Sequence, residues 1–295
     1  MPRKKGEQMK IKNQLTPYLF LLPALAGLLL FKIYPIMNGL IQSLFTTHFL
    51  SRSKKFVGLG NYLDLAKDPA FWNSLFVTLK FNLVINPLQI ALAFGLAILL
   101  NHKIRGIALF RAVQFVPVAV SVPSACVLWN IMMSPEQGVL NSILIALGLE
   151  PQPFLASSSQ ALWSIILIAS WKGVGYWTLF LLAGLQEIPR SIYEAACIDG
   201  ATGWQQFRKV TVPMIMRPLT FVVVSVTIAN LLLFSPMYIL TGGGPQRSTN
   251  VLMLESYNSA FMYSDMGRSS AIVVVLLIMT LLIVTMQFRM LRAKH

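Results

Sequence analysis

Three carboxylates, Glu187, Glu194 and Asp199, lie close together between long apolar runs. Such a group at a membrane surface could work as general acid and base, or hold a cation with help from histidine. Neither chemistry finds its other half in the sequence. His48, His102 and His295 are scattered, with no second ligand at metal spacing. Cys126 and Cys197 are too few for a framework of bridges and read as free small hydrophobes. There is no nucleophile–base pattern and no glycine-rich phosphate loop. No catalytic, metal-binding or cofactor-binding residue is therefore assigned. The carboxylates read instead as capping and contact groups.

Their local setting is specific. Ser191-Ile192-Tyr193-Glu194 fits a capping box, with the Ser191 hydroxyl accepting from the Glu194 amide. A helix then runs to about Asp199, and Gly200 suits a left-handed stop. Thr202-Gly203-Trp204-Gln205 fits the box again, with a helix through Phe207 towards Val212 and Pro213 opening the next segment. The result is helix, glycine turn, helix. Ile192, Tyr193, Ala195, Ala196 and Ile198 give this ledge an apolar side. It is too short to hold alone in water. It packs on its own bundle or docks on a partner, and capping alone leaves both open.

The elements that carry the ledge are membrane spans. The 295 residues are 56% hydrophobic and 12% charged, with mean hydropathy +0.66; soluble domains carry about 25% charged residues. A net charge of +14 could suggest nucleic acid, but the basic residues cluster beside apolar runs, as the positive-inside rule requires. Six segments are long enough to cross a bilayer. They are 16–45, 76–100 (after an amphipathic lead-in at 71–75), 108–132, 160–184, 214–240 and 269–290. The basic start followed by an apolar run without a small-residue cleavage site predicts an uncleaved first span. Lys and Arg concentrate in the N-tail, 101–111, 185–217 and the C-tail, which places both termini inside. The segment 46–75, with Arg52, Lys54, Lys55 and Lys67, votes the other way and is outvoted by the alternation. Pro87, Pro117, Pro123 and Pro236 interrupt the spans. Asn82, Asn86, Gln89, Gln114, Asn130 and Asn230 set amides at membrane depth, either as helix–helix bonds or along a wet pathway. Lys80 is expected to snorkel to the interface.

The stretch EAACIDGATGWQQFRKVTVP resembles the EAA motif of binding-protein-dependent ABC importer permeases, at Glu194, Ala195, Ala196, Asp199, Gly200, Ala201, Phe207 and Pro213. In that family the loop is a coupling-helix pair seated in a groove of the ATPase, and the resemblance implies that role here. LQEIP at 185–189, TGGGP at 241–245 and the SAF and DMGRSSA elements resemble carbohydrate-type permeases, over about 15–290. Alignment from these anchors matches Gly173, Tyr176 and Asn230 to sugar-contacting positions of the maltose-type pore subunit. By residue type alone, Gly173 fits packing and Asn230 a helix–helix bond equally well. Leu233 is apolar where the maltose-type subunit has an amide, which counts against maltose itself.

The expected fold is therefore an all-α membrane protein with six transmembrane helices and a cytoplasmic coupling-helix pair. Residues 1–15 form a basic cytoplasmic tail, 16–290 the importer domain with its EAA loop at 185–213, and 291–295 a short tail. The resemblance implies a permease subunit for a sugar, oligosaccharide or polyol derivative in the cell (inner) membrane. Its implied partners are a second homologous permease, an ABC ATPase dimer that carries ATP and magnesium, an extracellular solute-binding protein, the carbohydrate and membrane lipid, with no nucleic acid. Two rivals remain. An ion-driven secondary transporter would need intramembrane carboxylates, and the spans contain almost none. A membrane enzyme would have to use Glu187, Glu194 and Asp199.

Overall fold

A computed structural model of the chain describes residues 18–47, 54–102 and 105–292. The expected basic tail at 1–15 and the last residues of 291–295 lie outside them.

Helix α1, Tyr18–Gln42, leads into a short antiparallel pair, β1 (Phe45–Thr47) and β2 (Lys54–Phe56), with Phe45 opposite Phe56. Helix α2 (Gly60–Lys67) follows, then α3 (Pro69–Leu100). Asp68 caps α3 by accepting from the Ala70 amide at 2.8 Å, and Pro69 occupies the first turn, where its missing N–H costs nothing. The 32 residues of α3 extend about 48 Å, longer than a hydrocarbon core of ~30 Å, so the lead-in expected at 71–75 is continuous with the span.

The third span, 108–132, is interrupted where its prolines lie: it consists of two helices, α4 (Ile107–Ala119) and α5 (Val122–Met132), bent by 97°. Pro117 and Pro123 each remove a donor near the joint, and the Ser121 hydroxyl caps α5 by accepting from the Ser124 amide at 3.2 Å. Helix α6 (Val139–Ala146) and a 3-10 turn lead to α7 (Ala161–Gln186), close to the expected 160–184.

The knob consists of α8 (Arg190–Ile198) and α9 (Gly203–Met214), followed after a 67° bend at Ile215 by α10 (Met216–Leu231). Pro213 therefore closes α9 rather than opening the fifth span, because the chain passes through a π-helical turn at Phe207–Thr211 that carries the helix across it. The expected fifth span, 214–240, is itself broken again before α11 (Ser235–Thr241), with Pro236 in the first turn. Helix α12 (Leu252–Tyr257) continues into a π turn at Asn258–Met262, and α13 (Met266–Arg292) completes the chain.

Helices α3 and α7 form the centre. Phe81, Ile85, Ile165 and Ile168 are fully enclosed in one cluster, and Ala93, Ala97, Leu181 and Ile215 in another nearer the knob. Small residues permit close approach. A Cβ at Gly175 would meet the Gln114 carbonyl at 2.6 Å, and one at Gly184 would meet Pro218 at 2.6 Å. No residue of the apolar window of α1 is buried. Among the described residues four helices are long and apolar enough to cross a membrane, or six when each bent pair is counted as one span.

Candidate functional site

Two sites sit at different depths. The first is the knob. Helix α8 starts at Arg190, two residues earlier than a Ser191 cap requires, and no side chain caps it. Pro189 stands in extended conformation immediately before it, so Ser191 is already inside the first turn and the expected first capping box does not form. The second box does form. Thr202 N–H donates to Gln205 Oε1 at 2.8 Å, and the Gln205 amide donates to Thr202 Oγ1 at 3.4 Å. Between them Gly200 takes φ +74°, and the Ala201 amide reaches back to the Ala196 carbonyl at 2.9 Å, a Schellman-type closure.

The knob is tied to the bundle on one side only. Tyr193 packs against the cluster of Ala93, Ala97 and Leu181, and Phe207 meets Phe94 of α3 at 6.0 Å; within the knob the Tyr193 hydroxyl lies 3.0 Å from Thr211 Oγ1 and Phe207 stacks on Trp204 at 5.4 Å. Ile192 and Ala196 are half-buried. The apolar side thus divides: Tyr193 turns inward, whereas Ile198 is 86% exposed and Trp204 69% exposed. Glu194, Ala195, Asp199, Gly200 and Pro213 are exposed as well, and Ala201 and Phe207 half-buried. Among the described residues, neither Glu194 nor Asp199 makes an ion pair. Glu187 stands apart from them, with Arg217, on the wall of a cavity of about 1090 Å³ between the ends of α7, α10 and α13.

The second site lies mid-bundle. A cavity of about 150 Å³ is walled by Gln89, Lys172, Gly173, Trp177, Asn230 and Leu233, with others. Its polar wall is an amide network. Asn230 Nδ2 donates to Asn86 Oδ1 at 2.8 Å and to Gln89 Oε1 at 3.0 Å, and Gln89 Nε2 donates to the Ala169 carbonyl at 3.0 Å. Asn230 is thus a helix–helix bond through its N–H groups, while its carbonyl oxygen accepts nothing among the described residues. Gly173 makes room for this network: a Cβ there would stand 3.0 Å from Gln89 Nε2.

The structure brings Gly173 and Asn230 together but not Tyr176. Trp177, one turn on from Gly173, lines the cavity, whereas Tyr176 does not. Tyr176 is exposed, with its ring edge-on to Trp177 and Phe180. Of the other amides, Asn82 bonds its own helix at the Thr78 carbonyl, Gln114 Nε2 is buried without a partner, and Asn130 is exposed. Lys80 reaches over the Trp163 ring, 5.7 Å from its centroid.

One residue of this site escaped the sequence reading. The Lys172 ammonium donates to the carbonyls of Pro117 at 3.0 Å and Val118 at 3.3 Å, the orphaned acceptors at the broken end of α4. A charged residue in an apolar span was the available signal.

The end of the bundle opposite the knob explains the DMGRSSA and SAF elements. Arg268 hydrogen-bonds Asp68, bonds Glu255 Oε1 at 3.1 Å and donates to Ser259 Oγ at 3.3 Å. Asp265 caps α13 by accepting from the Arg268 amide at 2.9 Å. Glu255, only 2% exposed, also accepts from Asn250 at 2.7 Å.

Known proteins with this arrangement are transporters. Residues 71–293 match the family model of the binding-protein-dependent transport system inner membrane component. A probable ABC transporter permease, YurN of Bacillus subtilis, is 38% identical, covering 94% of this chain and 96% of its own. The lactose transport system permease LacF of Rhizobium radiobacter is 37% identical, covering 92% of each. The trehalose/maltose transport system permease MalF of Thermococcus litoralis is 35% identical over 93% and 92%. A solved bacterial ABC transporter for import of the acidic polysaccharide alginate superposes with a TM-score of 0.85 at 22% identity, covering 98% of this chain and 99% of that one. With its broken spans, capped knob and near full-length relatives, the chain belongs to the binding-protein-dependent transport system inner membrane components, and is a multi-pass permease subunit of an ABC importer.

Proposed function

We propose that this permease subunit passes a sugar, oligosaccharide or polyol derivative inward, driven by ATP hydrolysis in a separate chain. The observation that carries the coupling is the half-tied knob. Ile198 and Trp204 offer apolar anchors, and Glu194 and Asp199 offer unpaired charges, all beside a turn that Gly200 makes sharp. Desolvated aromatic anchors flanked by charge are what a partner groove binds. That partner is an ABC ATPase dimer, where ATP and magnesium reside. Glu194, Ala195, Ala196, Asp199, Gly200 and Ala201 form the contact, and Phe207 and Pro213 brace it. Nucleotide-driven closure moves the knob, and rigid-body motion of the bundle switches access to the cleft. A second homologous permease completes the pore, and a solute-binding protein delivers from outside. Both termini lie in the cytoplasm, on the knob side, where Arg190, Arg208, Lys209 and Arg217 gather.

The carbohydrate reading rests on the cleft. Asn230 Oδ1 and the neighbouring amides suit hydroxyl groups that both donate and accept. Lys172 already donates to two carbonyls, which favours a neutral polyhydroxyl solute. The relatives named for lactose and for trehalose/maltose agree; others are named for sn-glycerol-3-phosphate.

The test is a reconstituted transporter with Gly200→Val or Glu194→Ala, assayed for ATPase association and for uptake of a panel of labelled sugars. Gly200→Val is expected to reduce uptake at least about tenfold, since a β-branched residue resists positive φ. Full uptake by this chain reconstituted alone would overturn the proposal.

A further inference from the structure

Above the cleft, four aromatic rings from two distant segments meet. Tyr257, at the end of α12, touches three others: Phe234 with centroids 5.6 Å apart, Tyr238 at 5.1 Å and Phe261 at 5.0 Å. Phe234 is stacked on Tyr257 at 29°, and Phe234 and Tyr238 lie 6.3 Å apart. The row begins where the cavity ends, for Leu233 and Pro236 line that cavity on either side of Phe234 in sequence. It leads away from the knob to Phe261. Phe234 and Tyr257 are half-buried against the central cluster, whereas Phe261 is 65% and Tyr238 40% exposed.

Interfacial aromatic belts are common in membrane proteins. Belt residues, however, meet lipid singly around a perimeter. Here the rings contact one another, and their backbone is pinned. Ser259, in the π turn between Tyr257 and Phe261, accepts from Arg268, and Ser256 pairs with Ser269 at 3.0 Å. Rings held in this way offer apolar faces with hydroxyls at the rim on Tyr238 and Tyr257. Pyranose rings present the complement, with C–H faces that stack on aromatic rings and equatorial hydroxyls that bond at the edge. Alkyl chains would have no use for the hydroxyls, and the row itself carries no charge.

We propose that Phe234, Tyr238, Tyr257 and Phe261 form a stacking track that receives pyranose rings and hands them to the Asn230 cleft. This deepens the carbohydrate reading and rests on it. Saturation-transfer NMR on the assembled transporter in nanodiscs tests it, with maltotriose, trehalose and lactose as probes and sorbitol as an acyclic control. Ring C–H signals of the sugars are expected to fall about fivefold in Tyr257→Leu and in Phe261→Leu, and to stay near wild type in Tyr257→Phe. Sorbitol is expected to give the same weak signal throughout. Phe261→Leu keeps the test sound if Tyr257→Leu fails to assemble, since Phe261 is mostly exposed. Undiminished sugar signals in Phe261→Leu and in any assembled Tyr257→Leu would overturn the track alone. No sugar signal above sorbitol in the wild type would overturn the carbohydrate reading and the track with it.

Discussion

The two ends of the bundle treat their carboxylates in opposite ways. Opposite the knob, Asp68, Glu255 and Asp265 are all engaged by Arg268 or its backbone, across two hundred positions in the case of Asp68. At the knob, Glu187, Glu194 and Asp199 make no ion pair among the described residues, although Arg190, Arg208, Lys209 and Arg217 share the same stretch. A cluster completed within the chain is completed on folding and serves stability. One left open, in water, costs little to keep and is available to another surface.

The largest effect expected from this contrast is that of Arg268→Met. It leaves the buried Glu255 with only the Asn250 amide and the more distant Arg247, 3.9 Å away, and thermal unfolding of the solubilised chain should register a loss of about 3 kcal/mol. Adding Glu255→Gln should recover part of it. A smaller effect is expected from acid. Burial pushes the Asp68 carboxyl up, but the Arg268 hydrogen bond and the Ala70 amide outweigh it and hold it below its ordinary value of 3.8. The contribution is therefore complete above pH 3.8 and lost as pH falls through the depressed value. A melting temperature followed from neutral pH into that range should drop more in wild type than in Asp68→Asn. The smallest effect belongs to the knob: Glu194→Ala should leave stability within about 0.5 kcal/mol while lowering ATPase association. A Glu194→Ala chain that melted as early as Arg268→Met would erase the contrast between the two ends.

Local chemistry was readable where a few adjacent residues settle it. Gly200 and the Thr202–Gln205 box are of that kind, since both ends of each hydrogen bond lie within a turn. The Ser191 box failed for an equally local reason, because the extended Pro189 places the helix start at Arg190. The six apolar segments were legible, and so were the prolines that interrupt the third, but not the angle of its break or the bend at Ile215. Lys172 and the Gln89–Asn230 bond join residues 54 to 141 positions apart, beyond any periodicity. Tyr176 shows a related limit, since an alignment gives a position but not which way a ring turns, and this one packs edge-on against Trp177 and Phe180.

The joint at Lys172 has a mechanical consequence. Helix α7 runs unbroken from this lysine to Gln186, about 21 Å, and ends immediately before the knob. It forms a lever whose far arm grips the severed stub of α4 through one ammonium and two carbonyls. Any force applied at the knob thus reaches the cleft along one continuous helix, without a sliding interface in between, and the stub must swing with the lever or let go of it.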